Sequence, residues 1–176
     1  MSAALKPLTL DEFLAWERSQ PARYEFDGVQ PVAMTGGSRP HGRVDARLVA
    51  ALVNRVHPPC EAFGPDLKVM TTGRIRYPDA SVVCAPSDED SDLVEPTVVC
   101  EVLSPSTALT DRRVKALEYA AVARILVYVL LEQDQPEITI MRRSVGWEPE
   151  VVTGVAATLE LPEISISIPL NAIYAT

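Results

Sequence analysis

The 176-residue chain is 47% hydrophobic and 23% charged, the balance of an ordinary globular protein, which excludes a disordered chain and fits one domain with a substantial core. Its formal net charge of -8 excludes a uniformly basic surface. Contact with a nucleic-acid backbone would therefore need a local basic patch.

Thr9-Leu10-Asp11-Glu12 has the capping-box pattern, with Leu8 and Phe13 placed as a hydrophobic staple, so a short helix is expected to start there and to end before Pro21. Arg23 to Phe26 and Val29 to Met34 read as two strands around Asp27-Gly28, a hairpin with a two-residue turn. Val44, Leu48, Leu52 and Val56 form one stripe of an amphipathic helix over 40–56, which stops before Pro58-Pro59. A strand is expected around Leu67 to Thr71, a turn over Gly73 to Tyr77, and a further strand over Ala80 to Cys84. Pro86 to Glu95 reads as a solvated acidic loop; it lacks the glycine and terminal glutamate of an EF-hand.

Thr97 to Leu103 is an apolar run broken only by Glu101, the pattern of a strand buried on both faces. Thr110 is placed to cap a third helix carrying Val114, Leu117 and Ala121, and Ile125 to Leu131 reads as another buried strand. Strands over Glu137 to Met141, Glu148 to Thr153, Thr158 to Leu161 and Ser165 to Ile168 complete a C-terminal meander. The expected class is α/β or α+β: a central mixed sheet flanked by helices, in a single domain over residues 1–176.

Two carboxylates, Asp79 and Glu101, stand on or beside successive strand-like runs, and Lys115 follows in a helical segment. Magnesium takes oxygen ligands and only one or two protein carboxylates, so Asp79 and Glu101 are candidate ligands and Lys115 a candidate for holding or activating water. The bland readings are Asp79 as a turn residue after Pro78 and Glu101 with Lys115 as a purely structural ion pair. Glu25 is a candidate third carboxylate, against a surface pair with Arg23, and His41 is a candidate at a helix start, against an ordinary structural histidine. Arg39, Arg43 and Arg47 recur at four-residue spacing and form a candidate phosphate-facing stripe, against an exposed helix face. Ser104 has no nucleophile-elbow pattern around it, which argues against a serine hydrolase.

The three cysteines, Cys60, Cys84 and Cys100, lack close metal-type spacing, and the apolar surroundings of Cys84 and Cys100 suggest buried free thiols in a reducing cytoplasm. Met1 to Leu8 has no apolar run of signal-peptide length, so export is not expected. Ala116 to Leu131 is interrupted by Glu118 and Arg124 and is too short for a confident membrane span.

Arg23 to Gly28, Ser38-Arg39-Pro40-His41, Tyr77-Pro78-Asp79, Glu101 to Thr107, and Asp111 with Lys115 and Tyr119 resemble, in order, the Uma-two (Uma2) family of restriction endonucleases, within the PD-(D/E)XK nuclease superfamily. The resemblance implies a restriction-endonuclease-like core and a magnesium- or manganese-dependent phosphodiesterase acting on DNA. It makes Asp79 and Glu101 the metal-binding acids, with the main-chain carbonyl of Val102 a further ligand. The superfamily's usual lysine position is occupied by Leu103, and the resemblance implies that Lys115 reaches the same spot from a helix. Gln30, Leu126 and Leu131 depart from the family's acidic positions. A homodimer is a further expectation, and the alternative function is a catalytically inactive interaction module that keeps the nuclease fold.

Overall fold

The computed structural model describes residues 7–34, 36–85 and 91–175. Helix α1 spans Leu10–Glu17 and begins with the expected reciprocal cap: Glu12 N–H donates to Thr9 Oγ1 at 3.2 Å, and Thr9 N–H to Glu12 Oε2 at 2.8 Å. Its Phe13 stacks on Phe26, centroids 4.8 Å apart, in a small core with Ile75 and Tyr77. Strands β1 (Tyr24–Phe26) and β2 (Pro31–Ala33) form the hairpin, but its turn is wider than expected. Phe26 pairs with Pro31, and Asp27 Oδ1 accepts from the N–H groups of both Val29 and Gln30 at 2.8 Å. The aspartate side chain thus closes a longer Asx-type loop in place of a two-residue turn.

Helix α2, Arg39–Val53, starts at Ser38, whose hydroxyl accepts from His41 N–H, and buries Val44, Leu48 and Leu52. It ends short of Val56 because the Asn54 side chain takes up the Ala50 carbonyl. Next come β3 (Glu61–Phe63), β4 (Lys68–Met70), β5 (Ile75–Arg76), β6 (Ala80–Val83), β7 (Leu93–Val94) and β8 (Val98–Leu103). The turn expected over Gly73 to Tyr77 contains a two-residue strand, β5: burial of Ile75 beside Phe13 and Phe26 draws Ile75–Arg76 into the sheet. Residues 86–90 of the expected acidic loop lie outside the described residues. The remainder is anchored, since Lys68 Nζ contacts Asp92 Oδ2 at 2.7 Å and β7 pairs in parallel with β4.

The third helical segment does not start at a Thr110 cap. Ser104 Oγ accepts from Thr107 N–H, Asp111 N–H bonds the Thr107 carbonyl, and Thr110–Lys115 is π-helical before α3, Ala116–Ala121. The chain ends with β9 (Val127–Glu132), β10 (Glu137–Arg142), β11 (Pro149–Thr153), β12 (Thr158–Leu161), β13 (Ile166–Pro169) and an unexpected short helix α4 (Asn171–Tyr174) that anchors Ile173 in the core.

The strands form a six-stranded mixed sheet ordered β11-β10-β9-β8-β6-β3, a five-stranded sheet ordered β2-β1-β5-β4-β7, and the β12–β13 pair. β8 is buried along its whole length, as its apolar run requires. Val98, Cys100 and Val102 join the core shared with α2, whereas Val99 and Leu103 join Tyr119 and Tyr128 on the other face. That alternation places Glu101 on the face covered by the third helical segment. Each fully buried valine or leucine contributes about 1.5–3 kcal/mol, so β8 is firmly held in the centre of the sheet.

Cys60 and Cys84 are disulfide-bonded, which corrects the free-thiol expectation for Cys84. The pairing of Glu61 with Val83 brings the two flanking cysteines opposite each other, Cα atoms 3.9 Å apart. Cys100 is free and buried. Among the described residues no helix is long and apolar enough to cross a membrane.

Candidate active site

The site lies where the β6–β8 ladder gives out. The pairs run from Val82 with Val98 to Ala80 with Cys100. Continuing that register would set Val102 against Pro78, which has no N–H to donate. The Asp79 carboxylate substitutes for the ladder, its Oδ2 accepting from Val102 N–H at 2.7 Å. The carbonyl of Val102 is left facing the same opening, where it raises the proton affinity of His41. A proline just before β6 thus frees one main-chain oxygen beside one carboxylate.

Lys115 reaches the second carboxylate from the π-helical segment. Its Nζ lies 2.8 Å from Glu101 Oε1, 3.2 Å from Glu25 Oε1 and 3.3 Å from Asp111 Oδ1, and Tyr119 OH donates to Glu101 Oε1 at 3.2 Å. Burial pushes Glu101 up to about 8; Lys115 opposes this, while Asp79, Asp111 and Glu25 reinforce it. Burial also works against the charge on Lys115, but Glu101, Glu25 and Asp111 outweigh it and hold the ammonium protonated well above its ordinary range.

His41, on the first turn of α2, brings Nε2 to 3.4 Å from Asp79 Oδ2, and this contact is the main reason its proton affinity rises. One turn further along α2, Asp45 is pushed up to about 6 by burial, with Asp79 adding to the shift. Its Oδ1 is buried without a hydrogen-bond partner among the described residues.

The whole pattern of elements and motifs matches one family model. Residues 10–171 fit the Uma2 model, described as "Putative restriction endonuclease". The chain belongs to the Uma2 family. An uncharacterized protein of Synechocystis sp. is 33% identical over 179 residues, covering 98% of this chain and 94% of that one. A crystal structure described as a "putative nuclease belonging to DUF820", from Anabaena variabilis, superposes with a TM-score of 0.77 at 20% identity, covering 95% of this chain and 97% of that one. The mixed sheets flanked by helices that the sequence led us to expect are therefore a fold shared with that protein.

In this Uma2 chain the predicted residues divide cleanly. Asp79, Glu101, Lys115, Glu25, His41 and the Val102 main chain come together. Glu25 does not pair with Arg23, which contacts Asp66; it lies against Arg76 and Lys115. Arg39 and Arg43 are exposed, but Arg47 is not part of a free stripe, because its guanidinium donates to the Ile173 and Ala175 carbonyls. Ser104 bonds Ser106 and Thr107 within a turn. Sequence reasoning missed Asp45, Arg76 and Glu118 as neighbours of the site, and gave Asp111 no role beyond the helix start and the family pattern. Arg76, three residues before Asp79, fell within the expected turn, and Glu118 was legible only as an interruption in an apolar window.

Proposed function

We propose that this protein is a metal-dependent endonuclease that hydrolyses phosphodiester bonds in DNA, with Asp79 and Glu101 holding magnesium or manganese and Lys115 acting on the attacking water. The observation that carries this reading is the convergence of a helix-borne lysine on Glu101, beside the Asp79 end of the neighbouring strand, in a chain of the Uma2 family. Under this reading Leu103, buried in the core at the superfamily's usual lysine position, is apolar because the lysine arrives from the helix.

The donor set fits a hard divalent cation. Asp79 and Glu101 offer carboxylate oxygens and Val102 a carbonyl oxygen, and negative charge is in excess around Glu101, since Asp79, Asp111 and Glu25 all raise its proton affinity. Among the described residues no three His, Cys, Asp or Glu side chains are clustered to hold a metal ion by themselves. Two carboxylates, with water and a substrate phosphate completing the shell, is the usual arrangement for magnesium. When bound, the cation would polarise the scissile phosphate and offset its developing charge.

Lys115 is a poor proton acceptor at neutral pH, because three carboxylates hold its proton. We assign it a charged role: its N–H groups orient water and its ammonium stabilises charge on the phosphate. Arg39 and Arg43, exposed on α2, the helix that carries His41, are the proposed phosphate contacts.

Calorimetric titration of manganese into wild type and Asp79→Ala, followed by cleavage of supercoiled and linear DNA, tests the reading. Saturable binding and cleavage that both disappear in the variant are expected. A folded wild type that cleaves no DNA under any metal would favour the inactive interaction module.

A further inference from the structure

Lys115 carries four rotatable carbons on a π-helical segment, so something must hold its ammonium in place for the proposed chemistry. Glu101, Asp111 and Glu25 supply contacts, but only Glu25 comes from the five-stranded sheet, and its other oxygen is held from behind. The group behind it is Arg76, on β5. Its NH1 lies 2.9 Å from Glu25 Oε2, while its Nε and NH2 donate to Glu118 Oε2 and Oε1 at 2.7 and 2.8 Å. Arg76 is 4% exposed and Glu118 3% exposed, so neither ion is shared with bulk water.

Glu118 follows Lys115 by three residues, which places the two one turn apart on neighbouring faces of the same helical segment. A single planar guanidinium therefore grips the lysine's own helix through Glu118 and the lysine's ammonium through Glu25. Neutralising Glu118 would not need this arrangement, because Arg74 NH1 already donates to Glu118 Oε1 at 2.8 Å while its Nε bonds the Asp27 carbonyl. The contact left over from any simple charge-pairing account is Arg76 to Glu25, the one that leads to Lys115.

We propose that Arg76 is a positioning residue: through Glu25 and Glu118 it fixes the Lys115 ammonium at Glu101, standing in for the rigid strand position that the lysine does not occupy. This rests on the nuclease reading for its consequence in catalysis, but the positioning itself is measurable without turnover.

The test compares full-length wild type, Arg76→Lys and Glu25→Gln. Lysine keeps the charge but lacks the planar fork that holds Glu118 through Nε and NH2 while NH1 holds Glu25, and glutamine keeps the size of Glu25 while weakening its hold on both cations. The chain has only three lysines, Lys6, Lys68 and Lys115, so nitrogen-15 NMR of the ammonium groups resolves Lys115, assigned by its loss in Lys115→Met. A slowly exchanging Lys115 signal is expected in wild type and a broadened or lost one in both variants. Manganese binding should be unchanged in Arg76→Lys, and DNA cleavage should fall roughly tenfold or more in both variants, the scale expected from slight misplacement of a reacting group. The double variant Arg76→Lys with Lys115→Met should cleave no more slowly than Lys115→Met alone.

An unchanged Lys115 signal in the folded variants overturns the proposal, as does a wild type with no protected Lys115 signal or a loss of cleavage that is additive in the double variant. If Arg76→Lys does not fold, Glu25→Gln decides by the same readouts. If wild type cleaves no DNA, the nuclease reading falls while the NMR comparison still decides whether Arg76 positions Lys115.

Discussion

Lys115 and Glu101 meet at 2.8 Å from opposite sides of a seam, one on a π-helical segment and the other on the central strand β8. Leu103 shares the Glu101 face of that strand and is fully enclosed. The ammonium is therefore delivered across the packing interface, and its location depends on the helix staying docked.

Removing the ammonium with Lys115→Met should lower DNA cleavage at least about a hundredfold, the scale seen when a preorganised charge-stabilising donor is lost. Moving it back to the strand, with Leu103→Lys added to Lys115→Met, should recover part of that loss, because residue 103 lies on the same face two positions from Glu101. Cleavage rates of the three proteins under matched metal concentration give the answer, and no recovery would argue against a charge-only role at that spot.

Glu101 is pushed up to about 8 from an ordinary value of 4.5, so the folded state binds a proton that the unfolded chain releases across that interval. The stability this supplies is complete below about 4.5 and is lost as pH rises through 8. Glu101→Gln has no such charge to bury. In chelator-treated protein its melting temperature relative to wild type should rise from pH 5 to about 8 and level off above that. A flat difference over that range would mean that Glu101 is already ionised when folded.

Arg39 and Arg43 differ from Arg47 in what they touch. The first two are exposed, whereas Arg47 donates to carbonyls at the C-terminal helix. Arg39→Ala with Arg43→Ala should flatten the salt dependence of DNA binding by about two units of slope, measured by titration without catalytic metal. Arg47→Ala should leave that slope alone and cost about 1–2 kcal/mol in denaturant unfolding. Equal effects from all three would mean that they act as one surface patch.

The Cys60–Cys84 bridge closes a span of 24 residues that includes Asp79. Chain-entropy reasoning for a loop of that size predicts that Cys60→Ser with Cys84→Ser costs about 3 kcal/mol of stability. Denatured, unreduced wild type should titrate with one reactive thiol, from Cys100, and with three after reduction. Three thiols without reduction would mean that the bridge does not form in solution.

Much of the architecture was readable from local chemistry. The Thr9 to Glu12 cap, the stripe of Val44, Leu48 and Leu52, and the apolar run of β8 each specify an element through interactions within a few residues, so the sequence by itself determined the mixed sheet, its flanking helices and the burial of Glu101. Asp79 was legible as a carboxylate beside a strand-like run and in the Tyr77-Pro78-Asp79 pattern, whereas the end of the ladder at Pro78 follows from the register of β6 and β8. Long-range contacts were decided by the tertiary structure alone. Strand register set Cys60 against Cys84, burial of Ile75 turned an expected loop into β5, and docking of the C-terminal helix drew Arg47 out of the basic stripe. Arg76 could not be placed from its neighbours in sequence, because its partners Glu25 and Glu118 lie 51 and 42 residues away and only the packing of hairpin, sheet and helix brings both carboxylates to one guanidinium.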